Sequence, residues 1–314
     1  MNTALLFPGQ GSQESGMGRD IAEHSADAMN LWKRAERISN LPLREIFWEG
    51  DDAAMSDTRA LQPALTVVNL SLWMELAGKV KPCAAAGHSL GEFSALAAAQ
   101  ALTLEDTLEI TALRGRLMAE ADPAGTGAMA AIVKLSLPEV EDMVRQSAAA
   151  TGLPLLIANY NTPAQLVISG AKAAVEHAAG LAKERKGRAV MLKVSGAFHS
   201  PLMAEAAREL EPLLRKAHWS RPRFPVYCNV DGRPAREADA AMTACCRQMT
   251  SSVRWIDSVR AQYADGVRCW LELGPKAILG KMTQPCLADV LPAGESPVVA
   301  CVRNREDMDN LPVF

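Results

Sequence analysis

A chain of 314 residues, 49% of them apolar, has the material for one large or two modest domains. Aromatic residues are only 5%, so the core is built from Leu, Val, Ala and Met; a net charge of -3 with no dense Lys/Arg region excludes a general polyanion binder. Seven cysteines (83, 228, 245, 246, 269, 286, 301) without a C-x-x-C pair fit free thiols in a reducing compartment rather than a disulfide frame or a zinc site. Pro8 cuts short the apolar start, and no apolar run is long enough for a bilayer. The expectation is a cytoplasmic protein with no metal, no membrane partner and no nucleic-acid partner.

Thr3 to Phe7 reads as a buried strand that ends in the Gly-rich turn Pro8-Gly9-Gln10-Gly11-Ser12-Gln13. The glycine spacing is wrong for a dinucleotide site, since Gly16 and Gly18 follow where a glycine three residues on is needed. Amphipathic helices follow at 26–38 and 63–76. The small residues Ala84 to Ala86 then suit a tightly packed strand, and Gly87-His88-Ser89-Leu90-Gly91 has the spacing G-x-S-x-G. An Ala- and Leu-rich helix is predicted over 90–102, so strand, sharp turn and helix form the context of a nucleophile elbow with Ser89 at its tip. The helix N-terminus beneath it offers free N–H groups and a positive dipole end.

In the helix predicted over 104–121, Ile110, Leu117, Met118 and Ala121 share a face with Arg114, whereas Arg116 lies with Glu109 and Glu120. An arginine on an apolar face needs an anionic partner. The pattern leaves two open: an internal carboxylate, or a substrate carboxylate clamped bidentately.

After the break at 123–127 the order is strand 129–133, helix 138–149, strand 155–159, a turn at 161–163, strand 165–169, helix 171–183 and strand 189–194. That β-α-β-β-α-β order is ferredoxin-like. The second helix ends in a basic cluster with Lys183, Arg185, Lys186 and Arg188, either a solvated helix end or a docking site for an acidic partner. His199 then lies in the turn Ser195-Gly196-Ala197-Phe198-His199-Ser200-Pro201 and is the candidate base for Ser89. His24 and His177 read as helical and exposed. Further strands at 224–229 and 268–273 alternate with helices at 240–249, 256–264 and 277–282, which implies a mostly parallel sheet covered on both faces; the tail after Arg303 reads as peripheral. The fold class is therefore α/β. An α/β-hydrolase-like large subdomain takes residues 1–125 and 196–314, and a ferredoxin-like small subdomain is inserted at 126–195.

Several motifs, in order from Leu6 to about Gly280, resemble one family together, the malonyl-CoA:acyl carrier protein transacylases of fatty-acid and polyketide synthesis. They are Phe7-Pro8-Gly9-Gln10-Gly11-Ser12-Gln13, Gly87-His88-Ser89-Leu90-Gly91-Glu92, Leu113-Arg114-Gly115, Gly196-Ala197-Phe198-His199-Ser200, Gln248 with Val253-Arg254-Trp255, and Glu272-Leu273-Gly274-Pro275. The resemblance implies Ser89 as nucleophile, His199 as general base and Arg114 as the clamp on a substrate carboxylate. It further implies an oxyanion hole from the backbone N–H groups of Gln10 and Leu90, a main-chain carbonyl of Gln248 orienting the histidine in place of an acid, and Phe198 in the malonyl-selecting form of its motif. Malonyl-CoA and an acyl carrier protein are the implied partners, with no cofactor and a monomeric enzyme. Lys276 departs from the glycine common there and reads as scaffold variation away from the chemistry. The rivals are a serine thioesterase on the same elbow, a carrier-binding subunit without activity of its own, and the malonyl-transferring subunit of a malonate decarboxylase.

Overall fold

The computed structural model describes residues 2–311. Its strands are β1 Thr3–Phe7, β2 Pro82–Gly87, β3 Gly127–Val133, β4 Leu155–Thr162, β5 Gln165–Ala171, β6 Arg188–Met191, β7 Val226–Tyr227, β8 Pro234–Ala235, β9 Cys269–Leu273 and β10 Val298–Val302. They form two sheets. The larger runs β10-β9-β1-β2-β7-β8, parallel throughout except for the antiparallel β7–β8 pair. Its central strand β1 is buried at all five positions, as the unbroken apolar run Ala-Leu-Leu-Phe requires of a parallel strand covered on both faces.

The smaller sheet runs β4-β5-β3-β6 and is antiparallel. Helices Leu137–Thr151 and Lys172–Glu184 cover one face. Alternation divides β3 between two cores: Ala130 and Ile132 join the small core under those helices, whereas Met129 and Ala131 join the main core. Backbone bonds also stitch β4 of the smaller sheet to the segment before helix Trp255–Ala264 of the larger subdomain. Tyr160 N donates to Val253 O at 2.9 Å, Val253 N donates to Ala158 O at 2.7 Å, and the Arg254 guanidinium lies 4.3 Å from the Tyr160 ring centroid.

Several boundaries differ from the sequence expectation. The helix expected from residue 63 spans Thr58–Leu76, because the Asp57 side chain caps it by accepting from Arg59 N and Pro63 is tolerated inside. The elbow helix is shorter than 90–102: it is Gly91–Ala98, ended by Gln100 at φ 57°. The expected turn at 161–163 starts later, since β4 runs through Thr162 and pairs it with Gln165. The strand at 189–194 is only Arg188–Met191, and the one at 224–229 only Val226–Tyr227. Just before the supposed tail, β10 adds an edge strand beside β9, followed by helix Arg305–Asp309.

Candidate active site

The site lies at the carboxyl ends of β1 and β2, where parallel α/β sheets place ligands. Ser89 lies two residues past the end of β2 and has φ 51°, the left-handed conformation of a strained elbow. Only glycine fits on either side. A Cβ on Gly91 would stand 1.9 Å from Phe7 O, and one on Gly87 would stand 1.9 Å from the Gly91 carbonyl carbon. The Asn229 side chain bridges the turn, accepting from Ser89 N at 2.6 Å through Oδ1 and donating to Gly87 O at 2.7 Å.

His199 also has a left-handed backbone, φ 56°, and is 4% exposed. Its Nδ1 lies 3.1 Å from both Gln248 O and Ser251 O. Two carbonyl acceptors place the proton on Nδ1, which leaves Nε2 to accept from Ser89 Oγ at 2.7 Å. No carboxylate is needed for that tautomer. Burial, then the nearby Arg114 and His88 charges, push the His199 imidazole down to about 3, against the help of the two carbonyls. The imidazole is therefore neutral at physiological pH and free to take a proton.

Arg114, on helix Leu104–Glu120, is fully buried. Nη1 donates to Gln62 Oε1 at 2.8 Å, and Nη2 donates to Gln248 Oε1 at 3.0 Å and to Ser89 Oγ at 3.1 Å. Among the described residues its Nε has no acceptor and it forms no ion pair, although burial pushes it down only to about 10, so it stays charged. Arg116, by contrast, faces solvent and pairs with Glu120. Of the two partners the sequence left open for Arg114, no internal carboxylate lies within ion-pair reach.

A cleft of about 150 Å³ opens over these groups, lined by Gln10, Leu90, Phe198 and Met129 among others. Gln10 N and Leu90 N have no protein acceptor among the described residues, and both residues border the cleft beside Ser89. The small sheet closes the far side with Asn161, whose Oδ1 meets His88 Nε2 at 2.8 Å. Lys276 is closer to the site than the sequence suggested: its Nζ donates to Gln13 O at 2.6 Å and so braces the loop that carries Gln10. The basic cluster splits, because Arg185 pairs with Asp142 at 2.8 Å and donates to Glu139 O, whereas Lys183, Lys186 and Arg188 are exposed without an ion pair among the described residues. Sequence reasoning missed Gln62, Asn229, Ser251 and the role of Glu92. A polar residue amid the apolar helix Gly-Glu-Phe-Ser-Ala-Leu-Ala-Ala was the one signal available.

A serine held in a strained turn between a neutral imidazole and unused backbone N–H groups suits acyl chemistry on oxygen, and the family match makes the protein an acyltransferase. Residues 4–313 match the acyl transferase domain family. The malonyl CoA-acyl carrier protein transacylase of Haemophilus influenzae is 38% identical over 291 residues, covering 91% of this chain and 93% of that protein. Its counterpart in Bacillus subtilis is 38% identical over 286 residues, covering 90% and 89%. Among solved structures, an acyl carrier protein S-malonyltransferase from Vibrio cholerae superposes with TM-score 0.91 at 34% identity, covering 99% of this chain and 100% of that one. A malonyl-transacylase solved with its type II PKS acyl-carrier protein superposes equally well, TM-score 0.91 at 32% identity, covering 99% and 98%. The chain belongs to the malonyl CoA-acyl carrier protein transacylases of the acyl transferase domain family.

Proposed function

We propose that this protein moves a malonyl group from malonyl-CoA to the phosphopantetheine thiol of an acyl carrier protein, through a malonyl ester on Ser89. The observation that carries the reading is Arg114: a buried guanidinium with no ion-pair partner among the described residues, 3.1 Å from the serine oxygen. Malonyl thioesters carry a carboxylate two carbon–carbon bonds from the reacting carbonyl, so a cation beside the nucleophile suits them and no simple acyl chain.

Ser89 Oγ passes its proton to His199 Nε2 as it adds to the thioester carbonyl. Gln10 N and Leu90 N hold the oxyanion, an interaction worth about 2.7–4 kcal/mol per donor. Collapse breaks the C–S bond, the proton on His199 goes to the departing CoA thiolate, and malonyl-Ser89 remains. The carrier thiol then gives its proton to His199 and attacks the ester, which regenerates Ser89. These steps balance with side chains and the two thiols alone. Phe198 precedes the base and borders the cleft. Exposed Lys183, Lys186 and Arg188 would attract an acidic carrier, since the strand begun at Arg188 leads on to Leu192 and Val194 at the cleft. The free thiols fit a reducing cytoplasmic setting, and no helix among the described residues is long and apolar enough to cross a membrane.

The test is intact-protein mass spectrometry after brief mixing with malonyl-CoA, beside acetyl-CoA and a Ser89→Ala control. The expected result is a malonyl adduct on the wild type alone, stable until a carrier thiol is added. Rapid CoA release without an adduct would instead make the protein a hydrolase.

A further inference from the structure

Glu92 is fully buried on the elbow helix, three residues after the nucleophile, and the transfer steps above do not use it. Burying a carboxyl group is costly unless its oxygens are occupied. Here Oε2 accepts from Gln248 Nε2 at 2.5 Å and Oε1 accepts from Asn229 N at 3.3 Å. We propose that Glu92 is a positioning residue which, through the Gln248 amide, fixes the pose of Arg114 and with it the selectivity of Ser89 for a carboxylated acyl group. The inference rests on the malonyl-transfer reading and adds a residue to it.

The Gln248 amide couples Glu92 to Arg114 through its two ends. Gln248 Nε2 has both hydrogens used, one to Glu92 and one to Ser89 O at 2.9 Å, and its Oε1 accepts from Arg114 Nη2 at 3.0 Å. A flipped amide would set its oxygen against the Glu92 carboxyl and its N–H groups against the guanidinium. Ionised, Glu92 only accepts and so dictates that the oxygen faces Arg114; protonated, it accepts or donates, and Ser89 O with Arg114 Nη2 then selects the same pose. The nitrogen so held, Nη2, is also the one that reaches Ser89 Oγ. Glu92 further supplies the charge that most offsets the burial of Arg114.

The base is held separately. His199 takes its orientation from the main-chain carbonyls of Gln248 and Ser251, not from the Gln248 side chain. Disturbing Glu92 therefore loosens the clamp and leaves the base in place. A group that merely filled space would affect every acyl donor alike.

Glu92→Met keeps the length and removes the acceptor. Burst rates of acyl-enzyme formation, measured by quenched-flow mass spectrometry, are expected to fall on the order of 10–100-fold with malonyl-CoA, the scale of one hydrogen bond to a charged group, and only about threefold or less with acetyl-CoA by the same separation. Glu92→Gln, whose Oε1 accepts from Gln248 as the carboxylate does, should recover most of the malonyl rate. Gln248→Met should lower the malonyl-to-acetyl ratio likewise, and the double variant should lower it no further. Equal losses for the two donors, or ratios that multiply in the double variant, would overturn the proposal. If Glu92→Met does not fold, Gln248→Met decides alone by the same comparison. A wild type that forms no malonyl adduct overturns the reading of function itself, whereas a normal wild type with an unselective Glu92 effect overturns only this step.

Discussion

Arg114 is the residue at which chemistry and stability conflict most openly. A guanidinium at 0% exposure without an ion pair is retained at a cost in folding free energy, and its neighbours only partly relieve it: Gln62, Gln248 and the Ser89 hydroxyl fill some of its N–H groups, while Nε has no acceptor. The sequence pattern exposed the anomaly, because Arg114 stands on the same face as Ile110, Leu117 and Met118. It did not identify the supporting groups, since Gln62 and Gln248 come from helices 52 and 134 residues away in the chain. Arg114→Ala should reduce malonyl transfer on the order of 10²–10³-fold while acetyl transfer changes less than about tenfold, because only the first uses a charge-assisted contact. A steady-state comparison with the two CoA esters checks this, and equal losses would remove the clamp from the mechanism.

The elements that were legible are those whose sequence answers to local sterics. The Gly87-x-Ser89-x-Gly91 elbow is one, since both glycines are dictated by backbone atoms closer than any Cβ allows. The inserted β-α-β-β-α-β unit is another, since its helices each show one apolar face and β3, β4 and β5 are apolar on both. What escaped notice depends on partners distant in sequence. β4 extends to Thr162, through a stretch that reads as a turn, beside a backbone pairing between Tyr160 and Val253; β10 exists because β9 offers an edge. The helix Lys172–Glu184 gives a prediction at this scale. Arg185 is turned back to Asp142, so the carrier attraction proposed above would fall to Lys183, Lys186 and Arg188. Reversing those three charges to Glu should raise the KM for an acidic carrier severalfold and flatten its salt dependence, with the KM for malonyl-CoA unchanged. An unaltered carrier KM would locate the docking surface elsewhere.

Over the whole molecule, two buried groups of the site bear on acid stability with opposite signs. His199 titrates at about 3 in the folded protein against an ordinary 6.5, so as pH falls below 6.5 the unfolded chain gains a proton that the folded one refuses, and stability drops until pH 3. Glu92 is raised by burial to about 7 from 4.5, so as pH falls through 7 the folded protein gains the proton first, and stability rises until pH 4.5. Each slope is about 1.4 kcal/mol per pH unit. Between pH 6.5 and 4.5 these two cancel; buried His88, which desolvation also holds below its ordinary value, adds to the His199 side, and below 4.5 so do surface carboxylates such as Asp142 and Asp307, whose partners hold them low. Glu92→Gln removes one side of the balance without touching those carboxylates. Relative to wild type, the variant should therefore lose about 3 kcal/mol of stability as pH is lowered from 7.5 to 4.5, a difference that denaturant melts of both proteins at each pH would resolve. A constant difference across that range would mean that Glu92 titrates as an ordinary carboxyl and that the charge beside Gln248 persists down to about pH 5.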